Sequence, residues 1–140
     1  MAYTFHYLLM ANQATFQKKV LARCQKTNLT AGQPKVLDYL KDFDGATQKD
    51  IAKGCHIEPA SLSSILGRME EKGIVERKML NGNRRNTYVF LTELGKELQY
   101  SVDEAFEELE NSAFEGVSEE DRETFMKVFL KVYENIKERL

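Results

Sequence analysis

The sequence predicts a mainly α fold carrying one small β-hairpin. Three observations predict it. Apolar residues recur at helical spacing over most of the 140 residues. Capping-type starts, Thr30 with Gln33, Thr47 with Asp50 and Ser118 with Asp121, stand at the heads of apolar stripes. Residues 74–91 depart from this pattern and read as two short β-rich runs around a turn.

Residues 4–27 read as a first helix, with Phe5, Leu9, Phe16 and Val20 on one stripe that Asn12 and Gln13 interrupt. The Thr30–Gln33 spacing predicts a second start, with Pro34 in the first turn where its missing N–H matters least. Val36, Leu37 and Leu40 face inward, and Asp44-Gly45 ends the helix. Thr47-Gln48-Lys49-Asp50 opens a short third helix with Ile51 and Ala52 inward; Gly54 breaks it, and Cys55-His56-Ile57 forms the turn. Glu58-Pro59 opens a fourth helix, striped by Leu62, Ile65, Leu66 and Met69 and closed by Lys72-Gly73. Ile74–Lys78 and Thr87–Leu91 are the two strands, with Asn81-Gly82-Asn83 as the turn.

Two helices joined by a short turn and followed directly by a hairpin make a winged helix-turn-helix. Thr92 caps a long helix of about five turns, striped by Leu94, Leu98, Val102, Ala105, Leu109 and Ala113. Glu115-Gly116 breaks it. Ser118 opens the last helix, striped by Phe125, Val128, Phe129, Val132, Tyr133, Ile136 and Leu140.

Composition sets the outer limits. Apolar residues make up 42% and charged residues 30%, a mix that excludes wholesale disorder. No Trp, 2 Pro and 8 Gly exclude collagen-like and Pro-rich chains. The net charge of −2 argues against a polyanion partner until the chain is divided. Residues 1–91 hold 14 Lys/Arg against 8 Asp/Glu, and residues 92–140 hold 6 against 14. A basic part is joined to an acidic one. Nine of the acids fall between Asp103 and Asp121, with no Lys or Arg among them, and read as a solvated outer face.

No basic stretch followed by a long apolar run opens the chain, and no apolar run approaches a bilayer's thickness. A cytoplasmic protein with two free thiols, Cys24 and Cys55, and no membrane association is expected. His6 and His56 join no ligand-spaced cluster, so neither metal nor cofactor is expected. No Gly-rich phosphate loop, GxSxG or HExxH is present, which speaks against an enzyme.

The order of elements and several local sequences together resemble the MarR family of bacterial transcriptional regulators. The resemblance runs through Leu29-Thr30 with Gln33, Thr47-Gln48 with Ile51-Ala52, and Ser61–Gly73. It continues through Gly73-Ile74-Val75-Glu76-Arg77, the wing arginines Arg84-Arg85, and Leu91-Thr92-Glu93-Leu94-Gly95. Each piece alone is weak, but their order and spacing are specific. The resemblance implies an obligate homodimer of winged helices on a pseudo-palindromic DNA operator, acting as a regulator, in the first instance a repressor, released by a small molecule. Residues 1–28 and 92–140 would then supply dimerisation helices and residues 29–91 the DNA-binding domain. Two departures stand out. Asn83 occupies the position where the family usually has an Asp that buttresses the wing-tip arginine. Gly67 lies inside the recognition helix, at a cost of about 0.5–1 kcal/mol relative to Ala.

The residues themselves point the same way. With the Leu62–Met69 stripe inward, Ala60, Ser61, Ser64 and Arg68 form the face a major groove would meet. Small side chains allow close approach, serines bond base edges or phosphates, and an arginine can hold guanine bidentately. Taken alone, the serines read equally as solvated helix positions. Arg84 and Arg85 suit a narrow minor groove, flanked by Arg77 and Lys78; a solvated, soluble hairpin is the other reading. Phe5, Leu9, Leu109, Phe125, Val128, Phe129, Val132 and Ile136 are the expected dimerisation residues. Tyr7, Phe16 and Tyr39 are candidates for lining an effector pocket, although core packing explains each as well. Two alternatives remain open: a winged-helix protein-interaction module without DNA binding, and a thiol-based redox-sensing regulator using Cys24 or Cys55.

Overall fold

The computed structural model describes residues 2–80, 82 and 86–139. The elements run α1 (Phe5–Arg23), a 3₁₀ turn (Gln25–Thr27), α2 (Gln33–Asp42), α3 (Gln48–Cys55) and α4 (Pro59–Glu71). They continue with β1 (Val75–Lys78), β2 (Tyr88–Leu91), α5 (Glu93–Ala113) and α6 (Glu119–Arg139). The fold class is the expected one: mainly helical, with one small antiparallel sheet. The chain divides into two compact units, Met1–Glu107 and Glu108–Leu140.

In the first unit, α2, α3 and α4 enclose a core with the strands. Val36, Leu37, Leu40, Ile51, Leu62 and Leu66 are completely buried, as are Met69, Val89 and Val102. The stripes read from α2 to α4 are therefore the faces that close this core. β1 and β2 pair antiparallel, with Val75 opposite Leu91 and Lys78 opposite Tyr88. The link between α2 and α3 adds a third short rung that the sequence pattern did not reveal. Gly45 N–H donates to the Val89 carbonyl at 2.8 Å, and Val89 N–H to the Ala46 carbonyl at 2.9 Å. Asp44 Oδ1 also accepts the Leu91 N–H at 2.8 Å.

Several boundaries shift from the expected ones. The first helix, expected to span 4–27, ends at Arg23. Thr27 Oγ1 donates back to the Cys24 carbonyl and Asn28 turns left-handed at φ 58°, so the chain leaves the helical path. The start at Thr30 is only half a capping box. Gln33 Oε1 accepts the Thr30 N–H at 3.0 Å, but Gly32, at φ 86°, is the residue that caps α2. Gly54 does not break α3, which continues to Cys55 and turns at left-handed His56, φ 54°. Its glycine serves packing: a Cβ at 54 would collide with the Tyr39 ring. The caps at Thr47 and Ser118 are as expected, each hydroxyl accepting the N–H three residues on, at 3.1 Å.

Thr92 fastens the entry to α5. Its Oγ1 accepts the Gly95 N–H at 3.0 Å and donates to the Gly73 carbonyl at 2.6 Å. A Cβ at Gly95 would collide with the Ile74 carbonyl, so the helix can approach the strand only with glycine there.

The second unit joins the end of α5 to α6. Phe114 meets Phe125 edge-on at 5.7 Å, Phe125 stacks on Phe129 at 5.2 Å, and Arg122 lies over the Phe114 ring at 4.5 Å. No described residue of α6 is buried.

Candidate nucleic-acid interface

Helix α4 presents two contrasting faces. Leu62, Leu66 and Met69 are buried, while Ala60, Ser61, Ser64 and Arg68 are all exposed on the side away from the core. The helix begins at Pro59, and Glu58 makes no side-chain cap. The Ala60 and Ser61 N–H groups have no hydrogen bond among the described residues. Free amides at a positive helix end, beside two hydroxyls, suit a phosphate. Arg68 has no ion pair among the described residues. Gly67 has only Arg77 Nη2 at 3.8 Å from where a Cβ would stand, so intrachain packing does not require a glycine.

The basic residues around this face differ in how free they are. Arg77, expected as a flank of the wing, is half-buried and engaged inside the protein. Its Nη2 pairs with Glu70 Oε1 at 3.1 Å, its Nη1 donates to Gln48 Oε1 at 3.2 Å, and its backbone N–H donates to Glu70 Oε2 at 3.2 Å. The hydrogen bond from Arg77 holds the Glu70 carboxyl below its ordinary range. Arg77 thus ties β1 to α4 and to the start of α3. Neither Gln48 nor Glu70 could be read as its partner, because no helical spacing links residues across the α4–β1 turn. Lys72 donates to the Asn28 carbonyl at 3.0 Å. Lys78 forms an exposed pair with Glu76 at 3.4 Å and lies over the Phe90 ring. The wing candidates Arg84 and Arg85, and Asn83, lie outside the described residues.

The remaining candidates separate. Phe5, Leu9, Phe125, Val128, Phe129 and Ile136 are exposed; Val132 is partly covered, and Leu109 is already buried within the single chain, at 6% exposure. Of the pocket candidates, Phe16 lines a cavity of about 280 Å³ in the first unit, with Val20, Leu21, Pro34, Asp38 and Phe106. Tyr7 and Tyr39 are not part of that lining. Tyr39 instead stacks on Phe43 at 4.8 Å. Both thiols are buried, and burial raises their pKa values, that of Cys55 to about 11. They are held as thiols, the unreactive form for oxidant sensing. No group of metal-binding side chains occurs among the described residues, and no described helix is long and apolar enough to cross a membrane.

A helix-turn-helix whose second helix offers a small, polar, basic face, followed at once by a hairpin, defines a winged helix-turn-helix protein of the DNA-binding type. The sequence model of the MarR family matches residues 29–87. Residues 29–87 thus carry a MarR-family domain, and the members of that family are transcriptional regulators and not enzymes. Among curated relatives, an uncharacterized HTH-type transcriptional regulator of Bacillus subtilis (strain 168), YwhA, is 29% identical over 69% of this chain and 70% of its own length. The HTH-type transcriptional regulator Hpr of Geobacillus thermodenitrificans is 27% identical, over 79% of this chain and 66% of the relative. The S. aureus MepR–DNA complex superposes with a TM-score of 0.87 at 26% identity, covering 96% of this chain and 99% of that one.

Proposed function

We propose that this regulator works as a homodimer on a pseudo-palindromic operator, as a repressor that a small molecule releases. The exposed face of Ala60, Ser61, Ser64 and Arg68 at the uncapped start of α4 carries the reading. In it, each α4 enters a major groove, its free amides and serines fix phosphates, and Arg68 reads a base edge. Arg84 and Arg85 supply the minor-groove contact of the wing. The solved MepR–DNA complex supports DNA as the partner.

The apolar residues left open on α1 and α6 support the homodimer, since six large side chains there stand 39–58% exposed. Phe5 and Leu9 on one helix and Phe125, Val128, Phe129 and Ile136 on the other would be covered by the second copy. Two-fold symmetry then places two recognition helices on successive half-sites, which is why the operator is pseudo-palindromic. The cavity lined by Phe16 is the place for the effector.

The test is an electrophoretic shift with DNA flanking the gene. The protein should retard it at low salt and lose affinity steeply as salt rises. Arg85→Ala should weaken binding by about 1–3 kcal/mol. No retardation at low salt would overturn the reading and favour a protein-interaction module.

A further inference from the structure

We propose that Glu71, with room made by Gly67, is a specificity-determining residue of α4 that accepts the exocyclic amino group of one cytosine in each half-site. This rests on the operator reading above and adds a base to it. Helical spacing puts both residues on the side of Ser64 and Arg68, because Gly67 follows Ser64, and Glu71 follows Arg68, by one turn. Each carries a local cost that nothing inside the chain offsets. A glycine in a helix interior weakens the helix, and at position 67 a Cβ would meet only Arg77 Nη2, at an ordinary 3.8 Å. Glu71 is the last residue of α4, so its carboxylate sits at the negative end of the helix. It is exposed and has no hydrogen bond or ion pair among the described residues. Its chain neighbours are already engaged, Glu70 with Arg77 and the Lys72 ammonium with the Asn28 carbonyl.

An unpaired carboxylate on this face repels phosphate, so backbone binding gives it no use. A donor on a base edge does. In the major groove those donors are cytosine N4 and adenine N6, while guanine and thymine offer acceptors that a carboxylate repels. Adenine sets its N7 acceptor beside N6, against the second carboxylate oxygen. Cytosine sets only a C–H there, so the carboxylate selects cytosine. Side chains on a helix lean toward its N-terminus, which carries Glu71 back over position 67. With no Cβ at that position, the base has room to come up to the carboxylate. Glu71 also weakens contact with DNA that offers it no donor, which is discrimination by repulsion.

Selection of duplexes from a random DNA library by the full chain, followed by anisotropy titration of the enriched duplex, tests this. The wild-type half-site should hold one cytosine whose replacement weakens binding about tenfold. Glu71→Ala should lose the preference at that position alone and bind random DNA more tightly. Glu71→Gln should move the preference from cytosine to adenine, since glutamine holds adenine N6 and N7 together. Gly67→Ala should resist denaturant better than wild type and yet bind the enriched duplex about tenfold more weakly, with little change on random DNA. A cytosine preference that survives Glu71→Ala, or full affinity for the enriched duplex in Gly67→Ala, would overturn the proposal. The wild-type selection separates the two readings. An enriched sequence with no such cytosine removes the Glu71 contact alone, and no enrichment at all removes the operator reading and this contact with it.

Discussion

Helices α4 and α6 carry equally regular apolar stripes and meet opposite fates. Leu62, Leu66 and Met69 of α4 are completely buried, whereas Phe125, Val128 and Ile136 of α6 stand 48%, 58% and 42% exposed. The difference teaches that periodicity tells which face of a helix must be covered and not what covers it. The α4 stripe is answered within the chain by α2, α3 and the strands. The α6 stripe has no such cover among the described residues, and apolar area on that scale suits the dimer surface proposed above.

Substitutions on the two stripes break the comparison most directly. Leu66→Ala should cost about 2–5 kcal/mol, because a fully enclosed leucine leaves a cavity that its neighbours only partly fill. Denaturant titration reads it, and a cost under about 1 kcal/mol would mean the α4 face is less enclosed than its burial indicates. Val128→Glu should leave the first unit's core intact and abolish the dimer, as a carboxylate cannot enter an apolar interface unpaired. Sedimentation that still shows a dimer would remove α6 from the proposed interface.

The same contrast explains what could be read from the sequence. Features that depend on a few neighbouring residues were legible: the caps at Thr47, Thr92 and Ser118, the α4 stripe, and the Gly73 stop at φ 75°. Features that depend on distant partners were not. Gly54 looks like a helix breaker until the Tyr39 ring is seen packed over it. Arg77 looks like one of a row of basic residues facing DNA until Glu70 and Gln48 are found holding it. Leu109 shares its helical spacing with the open apolar residues, and only its burial sets it apart. Charge and period place a residue on a face; the fold decides whether that face is already occupied.

Within the basic cluster the comparison is between a free arginine and a held one. Arg68→Ala should cost about 1–3 kcal/mol on the operator and much less on random DNA, since a base-reading arginine carries sequence preference. Anisotropy titrations on the two DNAs measure this, and equal losses would make Arg68 a phosphate contact. Arg77→Ala should behave differently. It should lower stability and weaken both DNAs by similar factors with little change in salt slope, because its guanidinium positions α4 and β1 instead of neutralising phosphate.

The smallest effect lies in the partner of that held arginine. The hydrogen bond from Arg77 lowers the Glu70 pKa in the folded state. A carboxylate whose folded pKa lies below its unfolded value stabilises the fold fully above the unfolded value, about 4.3. That contribution is lost as pH falls through the folded value. Both side chains are partly exposed, so the pair contributes about 0.2–1 kcal/mol at neutral pH. Glu70→Gln should therefore be slightly less stable than wild type at pH 6, and the gap should close as pH drops below about 4. Denaturation midpoints across pH 3–6 measure it. A gap that stays constant to pH 3 would show that Glu70 acts through its shape and neutral hydrogen bonds, and that Arg77 is held without an ion pair.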